Sequence, residues 1–212
     1  MTFAEMQTEV FARLEENSTT PAFWALADVK NALNEGLEEI SDASEWLEKN
    51  YAVPHVANQL YYNLSTALGS DTILTPKHAL NNQTNRWIEF REVRDLDRQL
   101  LEWETVTGEE EQCVLRGLWW FGIFPHSSDA AGSFTVYYSA LPPARVNDAD
   151  SPNFPEEYHY GLVEYALGDL LSQERDYRKA LAHFTEYSQY ERGLTEYVQG
   201  RISKDRIFSL HG

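Results

Sequence analysis

The chain has 212 residues, 42% of them hydrophobic and 13% aromatic, which is enough for one packed domain or one domain with an inserted subdomain, and too much for wholesale disorder. Its net charge of −17 repels nucleic acid and argues against any grip on phosphates. No apolar run reaches the ~18–20 residues of a bilayer span, so no membrane is expected as a partner.

The single cysteine, Cys113, cannot form an internal disulfide, and the start MTFAEMQTEV lacks both the basic and the apolar region of a signal peptide. A reducing cytoplasm is the expected place of synthesis. Charge is unevenly spread. Residues 1–50 hold 11 acidic and 3 basic side chains. Residues 199–212 hold Asp205 against Arg201, Lys204 and Arg206, and so carry the opposite sign.

Residues 3–16 predict an amphipathic helix, with Phe3, Met6, Val10, Phe11 and Leu14 at helical spacing. The loop Asn17-Ser18-Thr19-Thr20-Pro21 breaks it. A second helix is predicted over 23–49, its stripe Leu26, Val29, Leu33, Leu37, Ile40 and Leu47, its other face acidic. From 55 to 92 short strands are predicted in HVANQLYYNL, DTILTPKHALN and NRWIEFREV. RDLDRQLLEWETVTG reads as one or two helical turns. QCVLRGLWWFGIFP and SFTVYYSALPP supply a strand pair, with Phe134, Val136 and Tyr138 on one face and Tyr137 on the other.

After the turn-rich link ARVNDADSPN, Pro155-Glu156-Glu157 opens a helix running to about Leu171. A last helix runs from Asp176 to about 200. The expected fold is α+β: mainly an α-helical bundle of two N-terminal and two C-terminal helices, with a small antiparallel β subdomain inserted. The expected division is 1–50 with 154–200 as bundle, 51–153 as insertion and 201–212 as a C-terminal docking arm.

No catalytic, cofactor or metal site is expected. Glu156-x-x-His159 has the spacing of a di-iron half-motif, but a ferritin-like centre needs a second pair, and His183-x-x-Glu186 runs in the reverse order. His126-Ser127-Ser128-Asp129 is a turn by default, because a triad meets through the fold and not along the chain. Cys113 follows Glu109-Glu110-Glu111, whose negative charge raises a thiol pKa. Residues 165–187 resemble one tetratricopeptide unit, but an array needs about three copies.

Several ordered features do resemble a known family. They are DVKNALNEGLEEI (28–40), Trp103 through Gly108, IFP…AAGSFTVYYSALPP (123–143), DADSPNFPEEYHYGLVEYALGDLL (148–171) and ERDYRKALAHFTEY (174–187). Together they are similar to the head-to-tail adaptor (connector, or neck) proteins of tailed bacteriophages, over roughly residues 23–190. Gly108 is followed by glutamates where that family tends to have proline. Pro125 is likewise followed by His126 in place of a second proline.

The resemblance implies a non-enzymatic structural virion protein at the head–tail junction. It would form a ring of copies of itself, commonly a dodecamer, beneath the portal protein. Tail or nozzle proteins would build on the ring, and DNA would pass through without specific binding. Acidic walls suit such a passage, since a basic lumen would trap the duplex through counterion release. Trp119, Trp120, Tyr137 and Tyr138 are the expected subunit or tail interface. Arg201, Ile202, Lys204, Arg206, Ile207, Phe208 and Leu210 are the expected portal-docking arm. The alternative is an acidic, tetratricopeptide-like helical protein-binding adaptor of non-virion origin.

Overall fold

Two sets of local patterns build this chain, one of period 3.6 and one of period 2. In the computed structural model, which describes residues 1–64, 73–117, 120–128 and 131–209 (73–74 and 202–209 as backbone alone), they separate into two compact units. One comprises 1–47 with 141–212; the other comprises 48–140.

In the helical unit, α1 spans Phe3–Arg13. Thr2 and Glu5 form a reciprocal capping box: Thr2 Oγ1 accepts from the Glu5 N–H at 3.3 Å, and Glu5 Oε2 accepts from the Thr2 N–H at 2.8 Å, a device worth about 1 kcal/mol. The predicted extension to residue 16 fails because Glu15 turns the chain at φ 58°. α2 spans Leu26–Ser44, not 23–49. Its start is delayed because the Glu16 carboxylate accepts the N–H groups of Ala22, Phe23 and Trp24. Its end is set by Glu45, left-handed at φ 49°.

The 3-10 turn Glu156–Tyr158 leads into α4 (His159–Gln173), and α5 follows as Tyr177–Ser209, while α3 (Val93–Gln99) belongs to the other unit. Phe3, Met6, Val10 and Phe11 of α1 meet Leu33, Leu37 and Ile40 of α2, Leu162, Ala166 and Leu170 of α4, and Leu194 of α5 in one core. α5 is longer than predicted. The backbone remains helical past residue 200 through Ser209, because RISKDRIFS holds no proline to stop it.

The second unit overturns the expectation of a mainly helical bundle with a small antiparallel insertion. The fold is mixed, 45% helical and 23% strand, and the sheet is curled and seven-stranded. Its strands are β1 (Glu48–Pro54), β2 (Tyr61–Asn63), β3 (Ile73–Asn81), β4 (Arg86–Arg91), β5 (Gln112–Arg116), β6 (Trp120–Phe124) and β7 (Ser133–Ala140), in the order β1-β7-β3-β4-β5-β6-β2.

Two features account for the difference. β1 starts at Glu48, inside the end of the predicted second helix, and runs to Pro54, ahead of the strands expected from residue 55, since EKNYAVP has no strong alternation. The sheet is also not wholly antiparallel: β4 and β5 pair in parallel, Phe90 opposite Cys113. A parallel pair needs a crossover, and here it is α3 (Val93–Gln99) followed by the 3-10 turn Trp103–Thr105. Val53, Tyr62, Ile88, Cys113, Phe121, Phe134 and Val136 form the main core of this unit. Leu96, Trp103 and Val114 form a second cluster beneath the crossover.

Candidate functional surfaces

The aromatic residues singled out in the sheet have different fates. On β7, side chains alternate, so Phe134, Val136 and Tyr138 are buried while Tyr137 faces the other way and is half-buried. Tyr138 is only 2% exposed. Trp120, at the start of β6, is 46% exposed and sits opposite Asn63 and Arg116. Trp119 lies outside the described residues.

Tyr137 has neighbours that were not anticipated as surface groups. Its ring stacks on His78 at 4.6 Å, and His78 meets Trp87 edge-on at 4.7 Å. Trp87 is 59% exposed. The signal was present, because NRWIEFREV alternates and puts Trp87 opposite in sense to buried Ile88, but which face would be covered depends on the sheet's curl.

In the C-terminal segment, Arg201 is exposed and its guanidinium lies 5.4 Å from the Tyr197 ring centre. Ile202, Lys204, Arg206, Ile207 and Phe208 continue along α5, and Leu210 lies outside the described residues.

Several residues with catalytic or metal-binding potential have structural partners. The N-terminal amine donates to Glu156 Oε1 at 2.7 Å and lies 2.9 Å from His159 Nδ1. His159 Nε2 is 2.9 Å from the Phe154 carbonyl oxygen, so Nε2 carries the proton and Nδ1 accepts. Burial holds this imidazole's pKa below its ordinary value. His183 pairs with Glu164 at 2.8 Å, not with Glu186, and Glu164 also takes Arg13. His126 is buried; its backbone N–H donates to the Val106 carbonyl, and its imidazole Nδ1 has no hydrogen-bond partner. Cys113 is fully buried, and desolvation pushes its thiol up, away from reactivity. Among the described residues no group of three or more His, Cys, Asp or Glu side chains converges as a metal site.

One buried polar node belongs to the sheet unit. Asn81 Nδ2 donates to Glu110 Oε2 at 2.7 Å, and His55 Nδ1 lies 3.6 Å from Glu110 Oε1 and 3.1 Å from the Ala131 carbonyl oxygen. Asn81 Oδ1 meanwhile accepts the N–H groups of Gln83 and Thr84 in the β3–β4 turn. The node is closed to solvent and ties strand ends together.

The helical unit carries the most concentrated charge. Glu35, Glu38 and Glu39 on α2 lie near Asp169 on α4. Glu35 has its pKa raised by burial and then by Asp169, Glu38 and Glu39. Tyr165, packed behind them, is pushed up to about 12 by burial and by Glu39, Glu35 and Asp169.

The family model for SU10 adaptor protein matches residues 1–208. The chain belongs to the SU10 adaptor protein family. No curated protein matches it. Membership makes it a phage head-to-tail adaptor, a structural component of the virion that works against other virion proteins. The DVKNALNEGLEEI segment of this SU10 adaptor is α2, and two of its residues have visible tasks. Asn34 clamps the backbone of Arg145, donating to its carbonyl at 3.1 Å and accepting its N–H at 2.7 Å. Gly36 faces Tyr165, whose ring and Cβ would lie 2.9–3.0 Å from any added Cβ.

Proposed function

We propose that copies of the chain form a ring beneath the portal, probed from below by tail or nozzle proteins, and that the genome passes through without specific binding. The observation that carries this reading is the family match across residues 1–208. The charge of −17 supports it, because a negative lumen repels the duplex and leaves it free to slide. Exposed aromatic residues support it too, since such patches mark interfaces: Trp120 and the Trp87–His78–Tyr137 group are the surfaces offered to neighbours. The C-terminal segment, with Arg201, Ile202, Lys204, Arg206, Ile207, Phe208 and Leu210, docks on the portal, its apolar side chains serving as anchors.

Negative-stain images of the chain mixed with isolated portal rings test the assembly. Rings of the chain seated on the portal are expected, and a portal left bare at micromolar chain concentration would sink the proposal. Deleting 200–212 tests the docking segment separately. Co-sedimentation with portal should be lost, and unchanged co-sedimentation would refute that role.

A further inference from the structure

The sheet of the second unit has one face closed over a core and another closed only in part. Ile88, Cys113, Phe121, Phe134 and Val136 fill the closed face. Side chains alternate along a strand, so Trp87, Val114 and Tyr137 belong to the other face. Over β5 the crossover covers that face, with Leu96 and Trp103 buried against Val114. Across β4, β3 and β7 the same face carries the Trp87–His78–Tyr137 group, whose outermost ring, Trp87, is 59% exposed.

The crossover itself is apolar on two sides. Leu96 and Trp103 are buried towards its own sheet, while Leu100 is exposed and Leu101, at 95%, is almost wholly in water. The exposed pair is held in place by backbone. The Leu100 N–H donates to the Leu96 carbonyl at 2.9 Å, and the Leu100 carbonyl accepts the Trp103 N–H at 3.3 Å. An element with apolar side chains all round is one that is buried all round, and this one is covered on a single side. A preformed knob also binds without the cost of ordering a loop.

Charge points the two patches at each other. Glu102, next to Leu101, is exposed, and its carboxylate has no ion pair or hydrogen bond among the described residues. Arg91 lies on the same face of β4 as Trp87, and its ion pair among the described residues is with exposed Glu89, at 3.0 Å.

We propose that the knob of Leu100 and Leu101 on one copy of the chain packs on the Trp87–His78–Tyr137 face of a second copy, with Glu102 beside Arg91. The aromatic face then gains over β4, β3 and β7 the same kind of cover that the chain's own crossover gives over β5. Two different patches, one on each copy, make a head-to-tail contact, which repeats around an axis and closes as a ring. The inference rests on the ring reading above and names the contact between copies.

Leu101→Asp and Trp87→Asp, both at exposed positions, test the contact in the full chain. Each should weaken association between copies by about tenfold or more, read as ring formation on isolated portal. Ring formation unchanged in either variant would overturn this contact and leave the ring reading standing. A wild-type chain that forms no ring on portal sinks the ring reading and the contact with it. Cross-linking identifies the occupant with Leu101 and Trp87 both in place. Glu102→Cys chains mixed with Arg91→Cys chains should give disulfide-linked pairs on mild oxidation of assembled rings, the native Cys113 being buried. Absence of such pairs would overturn the contact. So would linked pairs from Arg91→Cys chains alone, which would show two aromatic faces meeting each other.

Discussion

Gly36 shows how a single side chain, or its lack, sets helix spacing. A Cβ there would lie 2.9 Å from the Tyr165 ring and 3.0 Å from its Cβ, and the latter cannot swing away. Gly36→Val should therefore destabilise the chain by about 1–3 kcal/mol through overpacking, read by urea denaturation followed by circular dichroism. An increase in stability, as helix propensity alone would give, would show that α2 and α4 can separate freely.

His159 carries a pH dependence whose sign follows from its neighbours. Its Nδ1 faces the N-terminal amine, which is also held by Glu156, and its Nε2 proton goes to the Phe154 carbonyl. Burial, and after it the facing amine, keep the folded ring neutral and its pKa below the ordinary 6.5, outweighing the Phe154 carbonyl and Glu156, which favour the charged form. The unfolded chain binds the proton first, so this contribution is complete above 6.5 and is lost as pH falls below it toward the lowered value. Unfolding free energy measured between pH 7.5 and 5 should decline more steeply for wild type than for His159→Gln. Equal slopes would remove His159 from the account.

Larger elements respond to the same packing logic. The crossover between the parallel strands β4 and β5 is held down by Trp103, which is 2% exposed. Its ring meets Phe124 at 5.8 Å and its Nε1 donates to Asp97 at 2.9 Å. Trp103→Ala should cost about 3–5 kcal/mol, and amide exchange in α3 and β5 should accelerate before that of β7. Uniform acceleration across the sheet would mean that the crossover does not act as a separate clamp. The crossover's helical character was readable from RDLDRQLLEWETVTG. Its joining two parallel strands was not, because strand direction is set by the partner and never by the segment.

For the whole molecule, charge is the dominant variable. A chain at −17 should leave duplex DNA unshifted in a gel even at ~50 mM salt, where phosphate binders hold tightest. Retention at that salt would contradict a passage that lets the genome slide.

Helical stripes were legible because 3.6-residue periodicity is local: Val29, Leu33, Leu37 and Ile40 mark α2 within one short stretch. Net charge, the basic C-terminal end and the ordered motifs of the adaptor resemblance are likewise properties of the chain as written. Cap positions were less legible. Glu16 and Glu45 end or delay helices through a hydrogen bond or a left-handed backbone that no periodicity announces. The seven-stranded curled sheet was beyond local reading, since β1 pairs with β7 some eighty residues later and gains its partner only by chain folding. The same holds for the surfaces. Tyr138 and Tyr137 are adjacent, yet one is core and the other stacks on His78, and Trp87 becomes an exposed ring only because of the face on which the sheet's curl leaves it. Burial depends on contacts between distant segments, and those distances are not written in the order of residues.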